Sequence, residues 1–261
     1  MKPYRSAFFS FLAILAALTG CSGIGMPSMG PTSSMTSSAV PLNLTAKNFT
    51  QFAKWGPVGA VTRAECPSGD KVVAGGSSSS DGSFIGAGWA DDKGVAWVVS
   101  PRPTAKGEAF AACVSIKDVG SLFTLVSARP INNLASATCG SGYSLITGYG
   151  RGTVHKSWFD PGQKTFFVRG GGVAYASCVK DNTGVMIKHA WNRSQFPKNV
   201  FAGCGGGNTV IAGSMGNNEW PGPPVQSHPG VGSNPATHGY AGWWTFSHEA
   251  NELTWAACVK T

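Results

Sequence analysis

The sequence predicts an all-β, pseudo-threefold, β-prism-like domain of three disulfide-stapled repeats, with a β-trefoil as the alternative. Three observations predict it. A cysteine followed by glycine at +3 and +9 occurs three times, as Cys66/Gly69/Gly75, Cys139/Gly142/Gly148 and Cys204/Gly207/Gly213. Each stretch closes on a second cysteine in a common pattern: Phe110-Ala111-Ala112-Cys113-Val114, Tyr175-Ala176-Ser177-Cys178-Val179 and Trp255-Ala256-Ala257-Cys258-Val259. Between these marks the apolar residues alternate with period two, and no window beyond the N-terminal apolar run carries the i, i+3, i+4, i+7 stripe of an amphipathic helix.

The first element is a leader. Lys2 and Arg5 precede an apolar run from Ala7 to Leu18 that ends in Leu18-Thr19-Gly20-Cys21. A basic start, a short apolar core and small residues make a secretory signal peptide, too short to span a bilayer as a helix. Leu-Thr-Gly-Cys resembles the lipobox of bacterial lipoproteins. That resemblance implies a signal peptide over residues 1–20, lipidation of Cys21 and, with Ser22 next in a Gram-negative host, an outer-membrane, lipid-anchored location. Residues 21–42, uncharged and rich in Ser, Gly, Pro, Thr and Met, read as a flexible lipidated tether. Its r.m.s. reach is about 25 Å.

A single β domain over 43–261 follows, with repeats at about 43–116, 117–181 and 182–261. Strands are expected at 71–74, 96–99, 110–114, 122–128, 144–147, 153–159, 165–169, 173–179, 185–189, 209–212, 243–247 and 255–259. Each is rich in β-branched or aromatic residues and bounded by turn formers. Four or five strands per repeat would form one small sheet with an exposed apolar face, so three repeats must pack together. The 36 glycines show no G-X-Y period and suit many tight turns. In the closing strands Ala174, Ala176 and Cys178 share one face, against Val173, Tyr175, Ser177 and Val179 on the other. Small residues beside the cysteine leave room for a disulfide close to the sheet.

Seven cysteines less Cys21 leave an even set, as expected of an exported chain in an oxidising compartment. The repeat selects Cys66–Cys113, Cys139–Cys178 and Cys204–Cys258, each bridge worth about 3–4 kcal/mol in the chain-entropy model. Zinc would need C-x2-C or similar pairs, and none occurs. The three Cys-bracketed units resemble the internal repeats of the vitelline membrane outer layer protein family, and also the glycine-rich, Cys-bracketed repeats of bacterial secreted proteins. The likeness spans about residues 46–261 in pattern. It implies a β-prism scaffold and a carbohydrate- or surface-binding role, and carries over no catalytic residue.

The third repeat departs furthest from the pattern. Between Asn217 and Trp244 lies a long Pro/Gly-rich insertion that reads as one loop. Trp220, His228, His238, Tyr240 and Trp243 are its candidate ligand-binding residues, because aromatic faces stack on sugar rings while polar groups orient hydroxyls. The competing reading puts Trp243 and Trp244 at the start of a core strand, with the Pro/Gly stretch a passive cover. In the first repeat Asp81, Asp91 and Asp92 near Trp89 have calcium-type ligands without EF-hand spacing, so a solvated turn is the expectation. His155, Trp158 and Asp160 are explained by a strand. No metal or cofactor is expected.

Nor is an enzyme expected. There is no G-x-S-x-G elbow, P-loop or dinucleotide fingerprint, and His248-Glu249 lacks the second histidine of H-E-x-x-H, having Glu252 there. The net charge of +8, two units of it in residues 1–20, comes without a dense Lys/Arg run, which argues against nucleic acid. It suits anionic glycans or headgroups. The expected function is an envelope-anchored, non-catalytic binding module for a glycan or cell-envelope polysaccharide. A structural subunit of an outer-membrane secretion or pilus assembly is the alternative, and an unrecognised hydrolase the third. The partners are then the membrane, through the N-terminal lipid, and a glycan or an envelope-complex protein.

Overall fold

The computed structural model describes residues 43–81, 87–160, 162, 164–192, 198–217, 226–231, 241–247 and 252–261. The first repeat supplies β1 (Thr50–Val58), β2 (Thr62–Glu65), β3 (Asp70–Ser79), β4 (Ala87–Ala90), β5 (Ala96–Ser100) and β6 (Lys106–Ser115). The second supplies β7 (Phe123–Ala128), β8 (Leu134–Thr138), β9 (Tyr143–Arg151), β10 (Lys156–Asp160), β11 (Thr165–Arg169) and β12 (Val173–Lys180). The third supplies β13 (Met186–Asn192), β14 (Lys198–Gly203), β15 (Asn208–Asn217), β16 (Gln226–Val231), β17 (Ala241–Ser247) and β18 (Glu252–Lys260). Among the described residues there is no α-helix, only 3-10 turns at Ala46–Asn48 and Gly120–Leu122.

The repeats share one topology. Inner sheets run β1-β6-β3, β7-β12-β9 and β13-β18-β15; outer sheets run β2-β5-β4, β8-β11-β10 and β14-β17-β16. The first inner and third outer sheets are joined into six strands by one pairing, Ser227 with Ser77. Each repeat is thus two layers of three strands, not the single sheet of four or five that the sequence suggests. The strand expected at 153–159 begins later, at Lys156.

The inner sheets face a common axis. Val73, Ile146 and Ile211, at one position of the three cassettes, meet Val114, Val179 and Val259, each next to a closing cysteine, in a core capped by Leu44. The opposite face carries Ala109, Ala111 and Cys113, Ala174, Ala176 and Cys178, or Ala256 and Cys258, packed on the outer sheets. These small side chains let the outer layer approach closely. They also bring the cysteine at the end of each outer strand within bridging range. Cys66–Cys113, Cys139–Cys178 and Cys204–Cys258 are formed, with Cα separations of 5.7, 5.8 and 5.6 Å.

The two cassette glycines serve different ends. Gly69, Gly142 and Gly207 hold φ of +90°, +77° and +70° in the turns after the opening cysteines, a region costly to other residues. Gly75, Gly148 and Gly213 lie in strands, and a Cβ there would collide with the rings of Trp97, Phe166 and Trp243. The +9 glycine is therefore the seat of an aromatic ring from the outer sheet and not a turn residue.

Hydrogen bonds sew the repeats together. Thr147 Oγ1 donates to the Gly213 carbonyl at 2.8 Å and Ser214 Oγ to the Gly148 carbonyl at 3.3 Å. Ser177 Oγ donates to the Val73 carbonyl at 2.5 Å, and Gln51 Nε2 to the Val210 carbonyl at 2.5 Å. No disulfide joins two repeats.

Candidate functional site

Register fixes what meets at each seam between repeats. The closing aromatics Phe110, Tyr175 and Trp255 pair across their inner sheets with Gly76, Tyr149 and Ser214. On the outer sheets, Ala90, Phe159 and Pro229 pair with the seated rings Trp97, Phe166 and Trp243.

Two seams are packed with rings from these positions. Between the second and third repeats, Trp255, fully buried, stacks on Phe159 at a centroid distance of 4.0 Å, and its Nε1 donates to the Ile146 carbonyl at 3.2 Å. Between the first and second, Tyr149 stacks on Tyr175 at 4.8 Å and meets Trp97 edge-on at 5.1 Å. Burial pushes the Tyr149 hydroxyl well above its ordinary pKa, helped by Tyr175, so it stays neutral.

The third seam, where the third repeat meets the first, has Gly76 and Pro229 at the positions of Tyr149 and Phe159. There a cavity of about 390 Å³ lies between β1, β6, β16 and β17. Phe52, Phe110, Ile211, Pro229 and Trp243 form its apolar lining, and Gln51 is the polar side chain among the described residues that line it. Gln51 spends Nε2 on the Val210 carbonyl, while its amide oxygen accepts no hydrogen bond from the described residues. No charged side chain among the described residues lines this space. Its chemistry is that of a binding surface for a flat apolar face with one hydroxyl-orienting amide.

Trp243 is 2 % exposed, lies over Gly213 and donates Nε1 to Ser227 Oγ at 2.8 Å. It is a core residue that also walls the cavity. His228 sits in β16 opposite Trp244. Trp220, His238 and Tyr240 lie outside the described residues, as does Cys21. The stretch read as one loop contains β16; in sequence Trp220 precedes that strand, and His238 and Tyr240 follow it. Phe52 and Gln51 have no place among the sequence expectations, and Phe110 figures there only as the first residue of a closing pattern. Their signal is a broken repeat, Gly76 against Tyr149 and Pro229 against Phe159.

The acidic candidates are engaged elsewhere. Asp91 accepts from the backbone N–H of Val95 at 2.8 Å and of Ala96 at 3.2 Å, and pairs with Arg63 at 2.7 Å. Burial pushes its carboxyl up, but Arg63 and the two N–H groups outweigh that and hold it below the usual carboxylate range. Asp92 pairs with Arg151 across the first seam, and Asp81 accepts from Ser79 Oγ. His155 leads into β10, whose Trp158 stacks on Phe167 and whose Asp160 Oδ1 accepts from the Gly162 N–H. Among the described residues no group of three or more His, Cys, Asp or Glu could hold a metal ion.

No protein-family model matches the chain, and no curated protein matches it. Among the described residues no helix is long and apolar enough to cross a membrane.

Proposed function

We propose that the protein is a non-catalytic binding module, held at the outer membrane by a lipid on Cys21, that takes a glycan at the seam between its third and first repeats. The cavity walled by Phe52, Phe110 and Trp243 carries this reading. Aromatic walls accept the C–H face of a pyranose ring, and the Gln51 amide suits a sugar hydroxyl. The leader and the three disulfides suit an exported, envelope-facing protein.

Titration with cell-envelope polysaccharide fragments tests the site. Phe110→Ala should weaken binding by about tenfold or more, the effect of losing one aromatic stacking partner. Ala53→Trp, which fills the mouth from an exposed position of β1, should abolish it. Unchanged affinity in both folded variants would remove the glycan reading of this cavity. Metabolic palmitate labelling lost in Cys21→Ser supports the anchor; a secreted, unlabelled wild-type chain refutes it.

A docking role in an envelope assembly draws on another surface, the β1–β2 connection, where Trp55, Val58 and Val61 are exposed together. Co-purification with a high-mass envelope complex that is lost in Trp55→Ser would favour it.

A further inference from the structure

The seam between the first and second repeats has a second cavity, of about 220 Å³, beside the ring stack described above, whose Trp97 and Tyr149 form part of its wall. Its chemistry differs from that of the third seam. Lys71 and Lys93 line it together with Trp97, Ile116 and Leu125. Ile116 is 53 % exposed and Leu125 52 % exposed, so two of the exposed large apolar side chains of the protein stand at one cationic cleft.

Lys71 is the central observation. Its Nζ donates to the Gly120 carbonyl at 2.6 Å and to the Phe123 carbonyl at 3.0 Å. An ammonium has three protons, and the third meets no acceptor among the described residues. Neither Lys71 nor Lys93 forms an ion pair among the described residues. The acidic side chains beside Lys93 are committed, Asp91 to Arg63 and Asp92 to Arg151, and Asp70, next to Lys71 in sequence, forms no ion pair with it. Desolvation lowers the Lys71 pKa, as expected of a half-buried cation without a counter-ion. The position is peculiar to this repeat, since Ser144 and Thr209 stand there in the others.

We propose that this cleft binds an amphipathic organic anion, an acyl or aryl carboxylate, with its headgroup on Lys71 and Lys93 and its hydrocarbon against Trp97, Ile116 and Leu125. The headgroup would take the third Lys71 proton as a charge-assisted hydrogen bond, stronger than a neutral one. The hydrocarbon would cover the two exposed apolar side chains, a gain proportional to the area removed from water. The site is separate from the glycan cavity and does not depend on that reading.

Dodecanoate and its neutral counterpart dodecan-1-ol, each below its aggregation limit, are the probes, titrated into the purified full chain and followed by calorimetry and tryptophan fluorescence. Dodecanoate should bind saturably at one site and at least about tenfold more tightly than the alcohol. Lys71→Met and Lys93→Met should each remove most of that preference and leave the alcohol unchanged. Leu125→Ser should weaken both probes, and Phe110→Ala neither. Equal affinity for acid and alcohol overturns the proposal, as does absent saturation or retained preference in both lysine variants. If Lys71→Met fails to fold, Lys93→Met, an exposed substitution, decides the outcome alone.

Discussion

Replacing Gly88 by serine should stabilise the protein, because it repairs a defect that the third repeat does not have. Trp97 is 4 % exposed, and its Nε1 is a buried donor with no partner among the described residues. The equivalent indole, Trp243, donates to Ser227 Oγ. Gly88 and Ser227 share one register position, opposite Val99 and Thr245, two residues beyond each tryptophan. A Cβ on Gly88 would lie 3.4 Å from Trp97 Nε1 and 3.3 Å from Ser77 Oγ. That is close enough for a hydroxyl to accept the indole proton after a shift of a few tenths of an ångström by Ser77. Satisfying a buried donor recovers about 1–1.5 kcal/mol, and replacing a strand glycine adds about 0.5 kcal/mol. Crowding at Ser77 takes back part of this, leaving about 1–1.5 kcal/mol, or roughly 2–5 °C in Tm for a domain of this size. Urea unfolding of Gly88→Ser beside Gly88→Ala is the assay, since alanine brings the Cβ and the backbone effect without the acceptor. Serine no more stable than alanine would refute the hydrogen-bond reasoning.

Other outcomes follow from the same structure. Gly148→Ala and Gly213→Ala, which drive a methyl into Phe166 and Trp243, should cost about 2–3 kcal/mol by overpacking. Gly69→Ala, in a turn with open space around it, should cost only about 1 kcal/mol; chemical denaturation ranks the three. Removing any one bridge by a Cys→Ala pair should cost about 4 kcal/mol in the entropy model, with little difference among them because the separations of 39, 47 and 54 residues are alike. The depressed Asp91 carboxyl contributes stability that is present above the unfolded aspartate range near ~4 and is lost as pH falls through its lower, folded value. Asp91→Asn should therefore lower stability at neutral pH and flatten the acid limb of the stability–pH curve, which thermal melts across pH 2–7 would show.

The repeated cysteines and the alanine face of the closing strands made the threefold plan and its staples legible, because both are demands that every repeat must meet. The division into two layers was not legible, although four strands of the outer sheets, β5, β10, β11 and β17, were expected. β2 and β4 span four residues each, too few for alternation to stand out from a loop. β16 carries Pro229 and Gly230 in a segment whose composition reads as a turn, yet pairing with β17 makes it a strand. The +9 glycine looked like one more turn signal, and only the ring packed upon it reveals its purpose. The seam cavity escaped because its signal is the lack of a ring at Gly76 and Pro229, which becomes visible only once the repeats are aligned on their strands. Lys71 escaped for a related reason: its carbonyl partners lie in the next repeat, which no local pattern displays.

The pairing of the bridges bears on how the chain is made. Beyond Cys21, every disulfide joins one cysteine to the next in sequence, so if the chain is exported N-terminus first, as proposed, each correct partner emerges before any wrong one except Cys21, whose thiol the proposed lipid would block. Oxidation in order of emergence then yields the native set without reshuffling. On the exported reading proposed above, recovery of the intact protein from the envelope should depend on a thiol oxidant and be indifferent to loss of a disulfide isomerase.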